Sequence, residues 1–136
     1  MDGKLTYELQ DNILYLKAKG DYSAQEFIEL WKNALNDSLV PRRFGVVVDA
    51  RHSKTSHRIA DIKPIHDELR KWNERIARIA VVVQSDQHFG FTRQCSVYDE
   101  LDGRDVNPFY EIESAIDWVN EKLKSDPTCN NTMHTC

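Results

Sequence analysis

The sequence predicts an α/β fold: a single mixed, mostly parallel five-stranded sheet flanked by four helices. Two apolar runs, Phe44–Asp49 and Ile79–Asp86, indicate this class, because each is rich in Val and Ile and stops abruptly at polar residues. A strand that is apolar on both faces is buried on both faces, which is typical of a parallel sheet covered by helices. A predicted hairpin precedes the first run, and helical patterns separate the later strands. The expected order is therefore β-β-α-β-α-β-α-β-α.

A hairpin and a helix are expected first. Leu5–Gln10 and Ile13–Lys19 are predicted strands, and the Asp-Asn pair between them is typical of a turn. Ser23 and Glu26 form a capping box that predicts the start of a helix. Apolar residues then recur on one face of this helix, which is expected to pack on the sheet: Phe27, Leu30, Trp31, Ala34 and Leu35.

The second helix is expected after a loop. The polar stretch 50–58 has no regular period, so it is predicted to be that loop. Pro64 is tolerated only in the first turn of a helix, so the helix is expected to begin near Asp61 or Ile62. Its apolar residues extend to Trp72 and Ile76.

A third helix, a short strand and a fourth helix complete the predicted domain. The apolar face of the third helix is expected to consist of Phe91, Cys95, Tyr98 and Leu101. The strand is predicted at Val106–Tyr110, and the last helix reaches Leu123. Residues 1–124 are thus expected to form one domain, and the polar residues 125–136 a disordered tail.

Composition narrows the class of protein. The chain has 136 residues, of which 40% are hydrophobic, and its net charge of −4 gives no general case for nucleic acid binding. No apolar run is long enough to span a membrane. An apolar signal segment is missing and the number of cysteines, three, is odd, so a cytoplasmic location is expected. Between Arg42 and Arg78, 10 basic residues oppose 5 acidic ones, which is typical of a solvated helix face or of anion attraction.

No cofactor and no metal are predicted. His57 and His66 have no third ligand nearby in the sequence, and a closed metal site needs four fixed ligands. The tail offers only Cys129, His134 and Cys136. Cys95 is interpreted as a small core residue, because its reactivity would require a lowered pKa.

Polar residues follow both Val-rich strands, and the carboxyl ends of parallel strands share one crevice. The candidate binding residues there are Asp49, Arg51, His52, Ser53, Ser85, Asp86 and His88. Arginine and histidine suit an anion or a peptide, whereas the alternative is a routine pairing of Asp49 with Arg51. A Ser–His–Asp triad is a remote alternative, since no Gly-x-Ser-x-Gly turn exposes a serine.

Apolar side chains near the same edge are expected to line any ligand-sized cavity. The predicted lining is Leu69, Phe91, Tyr98 and Phe109, with Asp49 or His88 at the mouth. Dense core packing is the alternative for all of them.

Four segments resemble the SpoIIAA-like family, which shares the fold of STAS domains. They are GVVVDARHS at Gly45–Ser53, RIAVVVQSD at Arg78–Asp86, FGFTR at Phe89–Arg93 and VNPFYEIESAIDWV at Val106–Val119. The resemblance covers residues 7–123, and it implies this fold far more specifically than any activity. Fold-level similarity to CRAL-TRIO lipid-binding domains implies an enclosed apolar ligand as one function.

Anti-sigma-factor antagonists of the family are regulated at a Ser or Thr that directly follows an Asp and precedes Gly-Leu-Gly. In this chain Ala-Arg-His follows Asp49, and Gly-Leu-Gly is missing. Ser53, Thr55 and Ser56 are therefore not expected to be substrates of an anti-sigma-type kinase.

The residues and the resemblance together predict a non-enzymatic binding or regulatory module. It would engage a protein partner or a small ligand at the carboxyl edge of the sheet. A homodimer is a further alternative for its assembly. A carrier of an apolar small molecule or lipid is the alternative, and a hydrolase is a distant third.

Overall fold

The computed structural model describes residues 4–54 and 59–125. The elements are β1 (Lys4–Gln10), β2 (Ile13–Gly20), α1 (Ala24–Leu35), β3 (Phe44–Ser53), α2 (Ile59–Arg70), β4 (Ile76–Val82), α3 (Asp86–Leu101), β5 (Val106–Phe109) and α4 (Ile112–Ser125). They form one five-stranded sheet in the order β1-β2-β3-β4-β5. Only the β1–β2 pair is antiparallel. The predicted fold class and element order are confirmed.

The two Val-rich runs are parallel neighbours, as predicted, and β3 is the central strand. Val46 pairs with Ile79 and Val48 with Val81. Val46 and the adjacent Val47, which point to opposite faces, are 0% and 1% exposed. A strand buried on both faces requires a layer of helices on each side.

The two faces of the sheet carry different helices. One face packs mainly on α1 and α2, in a cluster that includes Leu14, Leu16, Trp31, Val46, Leu69 and Ile79. The other face packs on α4, in a cluster that includes Ile13, Val47, Ala80, Val82, Ala115 and Val119. Right-handed crossovers between successive parallel neighbours place α1, α2 and α3 on the same face. This leaves α4 to cover the opposite face.

Helix α4 comes close to β3 at Gly45. A Cβ atom at this position would overlap Cγ1 of Val119 and touch Leu123. Glycine is therefore needed here for close approach of helix and sheet.

Strand β3 is longer than predicted. It continues through Ser53 instead of ending at Asp49, because β2 stays paired with it as far as Gly20. The register shifts between Lys17 and Lys19, where three steps along β3 oppose two along β2. A bulge of this kind bends a strand and redirects its side chains. Residues 50–53 are therefore strand residues, and the loop predicted over residues 50–58 is wrong for them.

The boundaries of α2 also differ from the prediction. The helix begins at Ile59, so Pro64 lies inside it, beyond the first turn. It ends at Arg70, and a turn closed by the Trp72 N–H bond to the Leu69 carbonyl follows. The predicted continuation to Ile76 is wrong, because that residue begins β4.

The C-terminal helix ends at Ser125, one residue into the predicted tail. The rest of the tail lies outside the described residues, so the tail and the domain limit remain predictions. Among the helices that the structure describes, none combines the length and apolar character needed to cross a bilayer.

Candidate ligand-binding cavity

A cavity of about 560 Å³ lies between the sheet and helices α1, α2 and α3. Val46, Val48 and Ala50 of β3 form part of its floor, and they span about 13 Å at about 3.3 Å per residue. The walls are mostly apolar and include Phe27, Trp31, Ile62, Ile65, Leu69 and Phe91. Small-molecule sites in proteins usually measure about 300–1,000 Å³ and have mostly apolar walls. The cavity therefore has the size and lining of a ligand site.

The mouth of the cavity lies at the carboxyl ends of β2 and β3. Asp21 and Ser23, which line it from the β2–α1 connection, are exposed, and so is Pro64 on α2. The Ser53 hydroxyl donates a hydrogen bond to Tyr22 Oη at 3.1 Å, which ties the extended end of β3 to that connection. The extra length of β3 thus helps to build the rim.

A buried polar cluster lies at the far end. Helix α3 runs from His88 at the mouth to Asp99, about 16 Å away at about 1.5 Å per residue. Asp99 is 3% exposed, and its Oδ1 accepts a hydrogen bond from Arg104 Nε at 2.9 Å. Arg104 also donates to Asn73 Oδ1 and to Asp102 Oδ2. The buried carboxylate of Asp99 is therefore neutralised by a cation of the protein itself.

His66 of α2 faces this cluster. Its Nε2 lies 3.6 Å from Asp99 Oδ1, which is longer than a hydrogen bond. Within the described part of the chain, no group of three or more His, Cys, Asp and Glu side chains has a metal-binding arrangement. His57 and the cysteines of the tail lie outside the described residues.

Cys95 lines the cavity between the mouth and the polar end. Burial, with a further contribution from the negative charge of Asp99, raises the pKa of its thiol to about 11. The thiolate is the nucleophilic form of cysteine, so Cys95 stays protonated and unreactive at neutral pH. The interpretation of Cys95 as a small buried residue is confirmed.

Asp49 and Arg51 lie away from the cavity. Val48 and Ala50 line it, and alternation along the strand turns Asp49 to the α4 side, where it borders a shallow depression with Ile112. Arg51 Nε and Nη2 donate to the two carboxylate oxygens of Asp49, both at 2.9 Å. The hydrogen bonds from Arg51 lower the pKa of Asp49. Of the two residues predicted as alternatives for the cavity mouth, Asp49 does not line the cavity, whereas His88 does.

The other polar candidates serve the ends of elements. His52 is exposed near the end of β3. Ser85 is the N-cap of α3, and its Oγ accepts from the His88 N–H at 3.1 Å. Asp86 Oδ1 accepts from Tyr110 Oη at 2.5 Å. The hydroxyl oxygen of Ser85 is thus used to cap a helix, which gives no support to the hydrolase alternative at this residue.

The predicted apolar lining is half right. Leu69 and Phe91 line the cavity, and His88 lies at its mouth, as predicted. Tyr98 is 47% exposed on the outer side of α3, and the Phe109 ring packs 5.4 Å from that of Trp118 on the α4 side. Neither lines the cavity: α3 turns Thr92, Cys95 and Asp99 inward instead of Tyr98, and Phe109 belongs to the core on the opposite face of the sheet.

No family model matches the sequence, and no curated protein matches it. Solved structures do match. An uncharacterized protein of the DUF3478 family from Shewanella loihica, with a SpoIIAA-like fold, is 15% identical with a TM-score of 0.61, covering 88% of this chain and 95% of its own. This chain has the SpoIIAA-like fold. An anti-sigma factor antagonist from Mycobacterium paratuberculosis is also 15% identical, with a TM-score of 0.59 and coverage of 87% and 94%. The fold implied by the sequence resemblance is thereby confirmed.

Within this SpoIIAA-like fold, two arginines of the basic region hold loops together. Arg43 donates to the carbonyls of Glu74 and Ile76, and Arg75 donates to those of Arg42 and Pro41. These arginines connect the segments before β3 and β4. Their charge therefore has a structural use, which weakens the alternative of an anion site.

The sequence interpretation missed the polar residues of the rim, Asp21, Tyr22 and Ser23, and those deeper in the cavity, His66, Thr92 and Asp99. The one available signal was the spacing of Thr92, Cys95 and Asp99, because steps of three and four residues share one face of a helix. Apolar residues on the exposed face of α3, such as Tyr98 and Leu101, made that face resemble the buried one.

Proposed function

We propose that this chain is a non-catalytic binding module whose cavity holds a small, largely apolar molecule. The observation that carries this proposal is the cavity itself, with its ligand-sized volume, apolar walls and exposed rim. Protein interiors are normally close-packed, so a space of this size beside a well-packed sheet requires an explanation. Binding of a ligand provides one.

The residues with reactive or titratable side chains near the cavity and the sheet edge give little support to a catalytic role. Ser85 is used as a helix cap, Asp49 is paired with Arg51, and burial keeps the Cys95 thiol protonated. An enzyme of the hydrolase type needs a nucleophile activated by a neighbouring base. A binding role needs only the shape and lining of the cavity.

A regulatory module that binds a protein partner is the second candidate. It is favoured by a row of exposed apolar side chains on the outer face of α3: Val97 at 59%, Tyr98 at 47% and Leu101 at 81%. The similarity to an anti-sigma factor antagonist agrees with such a role. The first candidate is preferred because the cavity is a concave, ligand-sized site.

Titration with an environment-sensitive apolar dye tests the proposal. Saturable binding is expected, and Val48→Phe should abolish it by placing a ring in the cavity, because Val48 lies on the floor. The matched control is Val97→Phe, the same change at an exposed position of α3 that does not line the cavity. Dye binding that is absent, or that both variants reduce equally, would overturn the proposal.

A native mass spectrum of the purified protein provides an independent test. A discrete added mass that organic solvent removes would identify a bound small molecule, whereas a doubled mass would indicate a homodimer. The cytoplasmic location expected from the sequence remains a prediction.

A further inference from the structure

We infer that the cavity selects an apolar molecule with an uncharged hydroxyl head, an alcohol in preference to a carboxylate such as a fatty acid anion. This inference rests on the proposed function, and it specifies the chemistry of the ligand. It follows from the polar cluster at the inner end, which consists of His66, Asp99 and Arg104.

One carboxylate oxygen of Asp99, Oδ2, can accept a hydrogen bond from a ligand. The contacts of this carboxylate with Arg104 and His66 all involve Oδ1. Among the described residues, no hydrogen bond reaches Oδ2. Asp99 lines the cavity although it is only 3% exposed. A buried carboxylate oxygen is a strong hydrogen-bond acceptor, so a ligand group that donates a proton fits here.

A carboxylate head does not fit. The described residues that line the cavity include Asp21 and Asp99 but no lysine or arginine. Arg104 is close, but its hydrogen bonds are directed to Asp99, Asn73 and Asp102, and it does not line the cavity. A ligand carboxylate would therefore be buried without a cation of its own, which costs much free energy.

An uncharged head fits better than a cationic one. Arg104 Nη2 already lies 2.8 Å from Asp99 Oδ1, so the negative charge is compensated. A buried ammonium group would lose its hydration and would lie near that guanidinium. A hydroxyl can donate to Asp99 Oδ2 and use its own oxygen toward His66, whose ring nitrogens can donate or accept. His66 Nε2 and Asp99 Oδ1 lie 3.6 Å apart, so one small group can reach both residues.

Competition against the bound dye tests this selectivity with three probes of equal chain length: decanol, decanoate and decylamine. Decanol is expected to displace the dye at a concentration about tenfold or more below that of decanoate, because a hydrogen bond to a charged group has this magnitude. The concentration of decylamine that displaces the dye should lie between those of decanol and decanoate. Displacement by decanoate or decylamine at a lower concentration than by decanol would overturn the inference.

Asp99→Asn should remove the preference for decanol over decanoate, because it replaces a carboxylate, which only accepts hydrogen bonds, by an amide, which also donates, and because it leaves Arg104 without this buried counter-ion. The matched control is Asp102→Asn, because Asp102 also pairs with Arg104 but does not line the cavity. This control should keep the preference. If Asp99→Asn fails to fold, His66→Phe, which removes the second polar partner, should narrow the preference in the same direction. A preference that is unchanged in the folded variant would refute the role of this cluster.

The outcomes separate this inference from the proposed function. If the dye binds and Val48→Phe blocks it, but decanol and decanoate compete equally, only the alcohol selectivity is wrong. If no dye binds to the wild-type protein, the proposed function and the alcohol selectivity are both wrong.

Discussion

Replacing Arg104 by Met is expected to destabilise the domain strongly. The Arg104 side chain is 1% exposed, and it pairs with the 5% exposed side chain of Asp99 at 2.8 Å. The substitution keeps much of the apolar volume but leaves a buried carboxylate without its cation. Breaking a buried ion pair in this way costs about 3–5 kcal/mol. Since a domain of this kind has a total stability of about 5–15 kcal/mol, the loss would be a large fraction of it.

Urea unfolding, followed by circular dichroism at neutral pH, measures this loss as a change in the free energy of unfolding. Arg70→Met is the matched control: Arg70 also pairs with Asp102, but its side chain is 53% exposed, so little change is expected. The double variant Arg104→Met with Asp99→Leu should recover most of the loss, because it removes both charges. A loss below about 1 kcal/mol for Arg104→Met would refute the reasoning, since the Asp99 charge would then not depend on Arg104.

Three further predictions concern packing, pH and reactivity. Gly45→Ala should lower the free energy of unfolding by about 1–3 kcal/mol, because its Cβ overlaps α4, whereas Gly90→Ala, with open space around it in α3, should raise it by about 0.5–1 kcal/mol. Equal effects of the two substitutions in urea would contradict this. The lowered pKa of Asp49 means that its ion pair contributes stability above the unfolded-state pKa, and this contribution is lost as pH falls through the folded-state pKa. Asp49→Asn should therefore destabilise the domain at pH 7 but hardly at pH 2, and a constant effect at both values would be contrary evidence. Cys95, with its pKa of about 11, should react with iodoacetamide at pH 8 far more slowly in the folded than in the urea-unfolded protein, as read by peptide mass spectrometry. Equal rates would show that the thiol is not protected.

The sheet could be predicted from the sequence because its signals are local. The apolar runs at β3 and β4 mark buried strands, and Ser23 and Glu26 form the expected capping box, with hydrogen bonds of 3.1 and 2.8 Å. A capping box needs only four consecutive residues, so sequence spacing is enough to find it.

The cavity could be predicted only in part, because α3 reverses the usual pattern. Its buried face carries Thr92 and Asp99, while Val97 and Leu101 are exposed. Apolar periodicity places Phe91 and Cys95 inside correctly but extends the buried face to Tyr98 and Leu101, because it does not expect polar residues there. Local rules fail most often at functional sites, where polar groups are retained inside.

The polar cluster could not be predicted, because its members are distant in the sequence. His66 on α2 meets Asp99 on α3 only when the second and third crossovers bring the two helices together above the sheet. Sequence spacing carries no information about such a contact. Asp99 and Arg104 are five residues apart, but the turn at Gly103, with a φ of +87°, decides that they meet.

The order of strands in the sheet has a consequence for folding. Each strand pairs with the strand that precedes it in the chain, so the sheet can grow by one unit at a time from the β1–β2 hairpin. Only the β1–β2 hairpin closes through a tight turn among the described strands, whereas each parallel pairing must close a crossover that contains a helix, so the hairpin is expected to form first and the parallel pairings more slowly. Helix α4 comes last in this order, although it alone covers one face of the sheet among the described elements. Until it docks, the nascent domain presents the bare face of Val47, Ala80 and Val82 to solvent, which makes this intermediate the stage most exposed to aggregation.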